Sequence, residues 1–219
     1  MKIPNRISRR RVLLSSGACA VAALGGVAAA ADKLRRTPTQ VLGPFYPLEK
    51  PLDHDADLTL VKGRKGRASG QVMHVMGRVV NAAGEPVKGA RIEIWQANAH
   101  GRYAHPSDDN PAPLDPNFQG FGSLVTDSHG RYRFKTIKPN AYPAGGGMRP
   151  AHIHFDITAR INRLVTQMYF PGDQYFEGDS VVAGAASNSK LLIADVRPPT
   201  PDLEPDSLIA NWDIVLENG

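Results

Sequence analysis

Short runs in which apolar and polar side chains alternate, each cut off by Gly, Pro, Asn or Asp, constrain this chain's fold more than any other feature. Val72, His74, Met76, Arg78 and Val80 begin one such run, and Ala90-Arg91-Ile92-Glu93-Ile94-Trp95-Gln96 forms the next. A period of two is the signature of a strand, because successive side chains of extended backbone point to opposite faces. The turn Asn81-Ala82-Ala83-Gly84-Glu85-Pro86 reads as the tight loop between them. A second hairpin is predicted from Ser123-Leu124-Val125-Thr126, Asp127-Ser128-His129-Gly130 and Arg131-Tyr132-Arg133-Phe134-Lys135. Further strands are expected within residues 151–159, 163–169, 191–196 and 212–216. Beyond residue 31 there is no long 3.6-residue apolar pattern, and 18 prolines and 21 glycines punctuate the chain, which argues against a helical bundle. The expected class is all-β, an antiparallel β-sandwich with long loops.

Three segments are distinguished along the chain. Residues 1–31 carry Lys2, Arg6, Arg9, Arg10 and Arg11 and no acid, followed by Val12-Leu13-Leu14 and an Ala/Gly-rich stretch ending in small residues. This is the grammar of a cleavable signal peptide, and Ser8-Arg9-Arg10-Arg11-Val12-Leu13 adds a twin-arginine signal. It predicts an exported protein, periplasmic or extracellular, with no stable membrane association after cleavage. The single cysteine, Cys19, lies in this leader, so the remainder has no disulfide. Removing the leader's five cations brings Lys+Arg from 26 to 21, equal to the 21 acids, which argues against nucleic acid as a partner. Residues 32–70 are polar and proline-punctuated and read as an extended N-terminal arm, within which Leu42-Gly43-Pro44-Phe45-Tyr46-Pro47 is an apolar knot. Residues 71–219 form the expected sandwich domain.

The sharpest chemical signal is His152-Ile153-His154. On a strand the two imidazoles stand side by side and can reach one cation. A pair of histidines that never meets a metal is the competing reading. A zinc hydrolase pattern would place His where Ile157 stands, and a cupin would place Glu near Thr158 and Ala159. Asp156, on the same strand face, keeps an iron(II) site of two His and one carboxylate open. Tyr103 and Tyr142 each lie just past a strand in loops flanked by Gly or Pro, where an aromatic that only filled a core is less expected. Phenol is ordinarily protonated at neutral pH, so a tyrosinate ligand requires a strongly polarising cation, a requirement that iron(III) meets better than zinc or iron(II).

Several segments taken in order resemble the intradiol ring-cleavage dioxygenases, the group of protocatechuate 3,4-dioxygenase and catechol 1,2-dioxygenase. They are Gly43-Pro44-Phe45-Tyr46-Pro47, residues 77–103, Thr126 to Tyr132, Thr136-Ile137-Lys138-Pro139, Arg149-Pro150-Ala151-His152-Ile153-His154-Phe155 and Thr166-Gln167-Met168-Tyr169-Phe170. The resemblance implies iron(III) held by Tyr103, Tyr142, His152 and His154, with Tyr142 the ligand that leaves when substrate binds. It implies catalytic roles beside the substrate for Arg149 and Gln167, and Tyr46 is expected to border the substrate. The reaction implied is insertion of both atoms of O2 into a small aromatic diol, giving a cis,cis-muconate-type diacid without an organic cofactor. One departure stands out. The protocatechuate members commonly have Gly-Pro before the second Tyr and Trp after it, whereas this chain has Asn140-Ala141 and Pro143-Ala144-Gly145-Gly146-Gly147.

Other readings belong beside this one. Residues 77–95 also resemble non-catalytic transthyretin-like modules of exported proteins, which would bind a partner or a sugar. Arg149 could simply pair with a carboxylate and Gln167 could satisfy backbone groups. Tyr46, Tyr132, Tyr169 and Trp95 read foremost as packing residues, and His74, His100, His105 and His129 as loop or surface histidines. A homo-oligomer is the expected assembly.

Overall fold

The computed structural model describes residues 33–218; the leader read at residues 1–31 lies outside them. Among the described residues, eleven strands form two larger sheets and a small hairpin. In the first sheet, β1 (Val72–Asn81) pairs antiparallel with β4 (Arg131–Ile137) on one side. On its other side β1 runs parallel to β10 (Leu208–Asn211) and then to β11 (Ile214–Leu216), and β9 (Asp195–Arg197) extends the sheet beyond β10. The second sheet has the order β3-β2-β7-β8, from β3 (Phe121–Val125), β2 (Arg91–Gln96), β7 (His152–Thr158) and β8 (Arg163–Tyr169). The hairpin is β5 (Tyr142–Ala144) with β6 (Gly147–Arg149). One helical turn, α1 (Ser180–Ala183), and a 3-10 segment at Ala186–Leu192 complete the secondary structure.

Most strands fall where alternation predicts them, yet their partners differ from the expectation in three respects. The runs at β1 and β2 are not a hairpin, because β1 belongs to the first sheet and β2 to the second. The same holds for β3 and β4, which pair with β2 and β1 respectively. The two Gly-terminated loops are therefore passages between sheets, tied together where the Thr126 hydroxyl donates to the Val87 carbonyl and accepts from the Ala90 amide. The first sheet is mixed rather than antiparallel, since β10 and β11 both run parallel to β1. Alternation reports which residues share a face and carries no information about the neighbour across the ladder. The hairpin β5–β6, α1 and β10 were not expected, and the predicted strand at 191–196 is displaced into β9 behind the 3-10 segment.

Both sheets feed one apolar core. Met73, Val75, Val79 and Phe134 of the first sheet join Ile92, Ile94, Ile153, Phe155, Ile157 and Met168 of the second in one buried cluster, closed by Trp212, whose ring meets Phe155 at 5.1 Å. Burying a side chain of this size contributes about 1.5–3 kcal/mol. The opposite face of the second sheet carries a separate cluster of Trp95, Ala97, Tyr103, Phe121 and Tyr142, with Phe45 and Tyr46 packed against it. Residues 33–70 supply only an isolated bridge from Asp57 to Lys135. Their backbone instead bonds across the sheets: Thr37 donates to Val215, Gln40 to Val165 and Leu58 to Lys135. Pro38 and Val41 accept from the Thr166 and Gln167 side chains, so this stretch is fastened beside the second sheet's outer face.

Candidate metal centre

Strand register assembles the site. His152 and His154 share the outer face of β7, and across the antiparallel ladder they stand opposite Tyr169 and Gln167 of β8. On β7's other side His154 stands opposite Trp95 of β2. In the hairpin, Tyr142 is the direct partner of Arg149. Since cross-strand partners lie side by side, pairing alone makes neighbours of His152, His154, Gln167, Tyr169 and Trp95, and separately of Tyr142 and Arg149.

Tyr103 arrives on a loop. Asn98 shapes it, its side-chain oxygen accepting from the amides of His100 and Arg102, and Asp108 accepts from the Tyr103 amide at 2.7 Å. Gly101, at φ +79°, lets this loop touch the one carrying Tyr142: a Cβ there would lie 2.6 Å from the Ala141 carbonyl oxygen. The two phenol rings consequently meet edge to face at 5.4 Å. Gly43 makes a similar approach, with a Cβ at that position falling 3.1 Å from His154 Cε1.

The donor atoms converge. His152 Nε2 lies 3.2 Å from His154 Nε2 and 3.3 Å from the Tyr103 hydroxyl. His152 Nδ1 is 2.7 Å from the Pro150 carbonyl, which can only accept, so Nδ1 holds the proton and Nε2 presents a lone pair. Tyr103, Tyr142, His152 and His154 are all buried. Burial holds the His152 pKa down to about 3 and that of His154 well below the usual range, with Arg149 acting in the same direction. Burial also raises both phenols, Tyr103 strongly, while Arg149 pulls Tyr142 partly back. Without a cation the four are thus neutral, and His154 Nδ1 has no hydrogen-bond partner among the described residues. Two imidazole Nε2 atoms and the Tyr103 hydroxyl close together, with the Tyr142 ring 5.4 Å from Tyr103 and 5.5 Å from His152, make a buried nitrogen and oxygen donor set that fits a small, hard, highly charged metal ion.

Around them lies a polar frame. Arg149 Nε donates to Asp179 at 2.6 Å, and its terminal nitrogen donates to Gln167 Oε1 at 2.8 Å and to the Tyr169 hydroxyl at 3.2 Å. Asp179 is buried and also caps α1, accepting from the Val182 amide. The Gln167 amide nitrogen is committed to the Val41 carbonyl. Both bland readings of these residues are therefore realised, and the same contacts set Arg149 beside Tyr142. Phe45 covers Tyr103 with ring centroids 4.6 Å apart. Trp95 stacks on His154 at 4.7 Å and 7°.

Among the described residues, no group of three or more His, Cys, Asp or Glu converges to hold a metal. Asp156, the open rival as third ligand, is instead forked by Arg163, whose Nε and terminal nitrogen donate at 3.0 and 2.7 Å. Tyr46 packs on Trp95 at 4.9 Å, while its hydroxyl donates to Glu93 at 2.7 Å, so it is not brought to the four donors. Comparison with known proteins supplies the rest. The dioxygenase family matches residues 41–218. The chain is 45% identical to the protocatechuate 3,4-dioxygenase beta chain of Burkholderia cepacia, over 79% of this chain and 76% of that one. The chain belongs to the intradiol dioxygenase family. A hydroxyquinol 1,2-dioxygenase of a Rhizobium strain is 34% identical over 72% of this dioxygenase, which spans only 54% of that relative's length. Its fold superposes on the dioxygenase domain of a carbohydrate-binding fusion protein from Streptomyces sp. SirexAA-E, with a TM-score of 0.64, 26% identity, and coverage of 84% of this chain and 100% of that domain. Membership of this enzyme family sets aside the non-catalytic transthyretin-like reading.

Sequence reasoning missed Trp95 as a partner of His154, Asp179 as the anchor of Arg149, and Phe45 as the cover of Tyr103. The Phe45 contact had a signal in the apolar knot around it. The other two depend on pairing across strands and on a distant helical turn, which leave no local pattern.

Proposed function

We propose that this dioxygenase cleaves a catechol-type diol between its hydroxyl-bearing carbons, inserting both atoms of O2 to give a cis,cis-muconate-type diacid. The observation that carries the reading is the convergence of the two imidazole Nε2 atoms with the Tyr103 hydroxyl, flanked by Tyr142. These four residues would hold iron(III). When bound, the metal supplies Lewis acidity that ionises the diol and draws electron density from the ring toward reaction with O2. Tyr142 is the mobile member: as phenolate, its oxygen takes one of the protons that the diol must lose on binding. Its place in a short hairpin beside the Gly145-Gly146-Gly147 turn suits a ligand that must swing away. Arg149, a permanent cation across the ladder from Tyr142, stabilises negative charge that develops on the ring. Gln167 acts by holding Arg149, since both ends of its amide are engaged. Phe45, Trp95 and the covering segment keep water from the donors.

The supporting architecture is a β-sandwich of the two sheets with residues 32–70 as an arm. The twin-arginine grammar of residues 1–31 supports export to the periplasm or beyond, and a homo-oligomer suits a chain that must build its pocket from one kind of subunit. The test is direct. Protein produced with ample iron should be red-brown from phenolate-to-iron charge transfer, and its absorption should shift when catechol is added without air. A colourless, iron-free product would remove the proposal.

A further inference from the structure

We infer that Gln40 and Tyr169 are positioning residues for ring cleavage: together they aim the Arg149 guanidinium, and through Gln40 the N-terminal arm becomes part of the catalytic apparatus. Arg149 acts here as the charge-stabilising group of the proposed function, on which this inference rests.

The residues form a closed circuit of hydrogen bonds. Arg149 Nε donates to Asp179 at 2.6 Å, and Nη2 donates to Gln167 Oε1 at 2.8 Å and to the Tyr169 hydroxyl at 3.2 Å. The Tyr169 hydroxyl in turn lies 3.1 Å from Gln40 Oε1, and Gln40 Nε2 donates to the Val181 carbonyl of α1 at 3.1 Å. The circuit closes within α1, because Asp179 caps that turn through the Val182 amide. Gln40, Gln167, Tyr169 and Asp179 are all buried, so each depends on the others for its partners.

Donors and acceptors fix the direction of the circuit. The Val41 and Val181 carbonyls can only accept, so the amide nitrogens of Gln167 and Gln40 point to them and both Oε1 atoms turn toward Tyr169. The hydroxyl therefore has one proton for two acceptors. Gln167 Oε1, 2.9 Å away, already accepts from Arg149, whereas Tyr169 is the one donor to Gln40 Oε1 among the described residues. The arrangement that leaves no buried acceptor empty sends the proton to Gln40 and turns the Tyr169 lone pairs to Arg149.

The arm is what holds this arrangement. Gln40 bonds through its amide to the Val165 carbonyl of β8, and the next residue, Val41, accepts from Gln167. Both acceptors of Arg149 Nη2 are thus held in turn by consecutive arm residues. Because a guanidinium is planar, fixing Nε and Nη2 also fixes Nη1. That nitrogen makes no hydrogen bond among the described residues and is left for the negative charge that develops on the diol.

Steady-state ring cleavage of catechol and 3,4-dihydroxybenzoate by the iron-loaded protein tests this. Gln40→Met should lower kcat about three- to tenfold, the value of one hydrogen bond, with iron content and colour unchanged. KM should stay within about twofold, since the lost interaction belongs to the transition state. Tyr169→Phe should lower kcat at least as much, and the double variant should be no worse than Tyr169→Phe, because both changes break one relay. Thr37→Val removes a different arm bond, from the Val215 amide to the Thr37 hydroxyl, and should leave kcat within about twofold. Full kcat in Gln40→Met, multiplied losses in the double variant, or an equal loss in Thr37→Val would overturn the inference. Should Gln40→Met not fold, Tyr169→Phe decides: lowered kcat with iron and KM retained supports the relay, and unaltered kcat overturns it. A wild type that holds iron without cleaving either ring would remove the proposed function and this inference with it, an outcome separate from any difference among the variants.

Discussion

The two ends of strand β7 present the same face with the same alternation, and they have become chemically opposite. At one end His152 and His154 stand among Trp95, Gln167 and Tyr169, neutral groups packed away from water. Two residues further on, Asp156 stands opposite Glu93, and charge surrounds both: Arg163 forks Asp156, while Lys50 and the Tyr46 hydroxyl hold Glu93. The Asp156 end satisfies its donors and acceptors with the protein's own side chains. The histidine end leaves lone pairs facing one another and a ring nitrogen without a partner. Donors supplied and the quenching cation withheld are what a metal site requires.

The most severe test of that contrast is His154→Ala, which should abolish ring cleavage and lower iron affinity by more than the roughly 10–100-fold typical of changes outside the ligand set; iron analysis after dialysis checks it. Tyr142→Phe should keep more iron than His154→Ala while turnover falls about 10²–10⁴-fold, the usual worth of a positioned acid-base group. Steady-state kinetics normalised to iron would expose unimpaired turnover and with it a wrong role. Asp179→Asn should lower kcat/KM about 10–100-fold with iron retained, because Asn still caps α1 but no longer offers Arg149 a charge.

Acidity separates the two ends again. In iron-free protein the buried histidines stay neutral down to about pH 3 in the case of His152, whereas unfolded histidine takes a proton near pH 6.5. The unfolded chain then binds more protons, so stability falls as pH drops below about 6.5. Urea midpoints between pH 7 and pH 4 should show this fall, reduced in His152→Gln. The smallest effect belongs to Asp156→Asn, which should cost about 1–3 kcal/mol of stability and leave iron content and colour as they were. Loss of iron there would restore Asp156 as a ligand.

Legibility followed locality. Strand alternation marked β1, β2, β7 and β8 to within a residue or two, because the period-two pattern is written into contiguous residues. The hairpin β5–β6 escaped notice: three residues a side, with Pro143 in one strand and a Gly run between, carry too little pattern. It is nevertheless the element that sets Tyr142 against Arg149. The His pair was visible by spacing, and the Tyr pair only through oxygen-donor chemistry and family resemblance. Asp179, 30 residues from its Arg149 partner, had no sequence signal at all.

The amino-acid sequence by itself determined an all-β chain, the side-by-side histidines and the membership that the family match bears out, since these depend on local periodicity and ordered motifs. Tertiary structure alone decided which sheet each strand joined, that Gly101 would bring the Tyr103 loop against Tyr142, and that Arg163 would claim Asp156. Those outcomes depend on contacts between residues far apart in the chain, where pairing and close approach are settled by what packs in three dimensions.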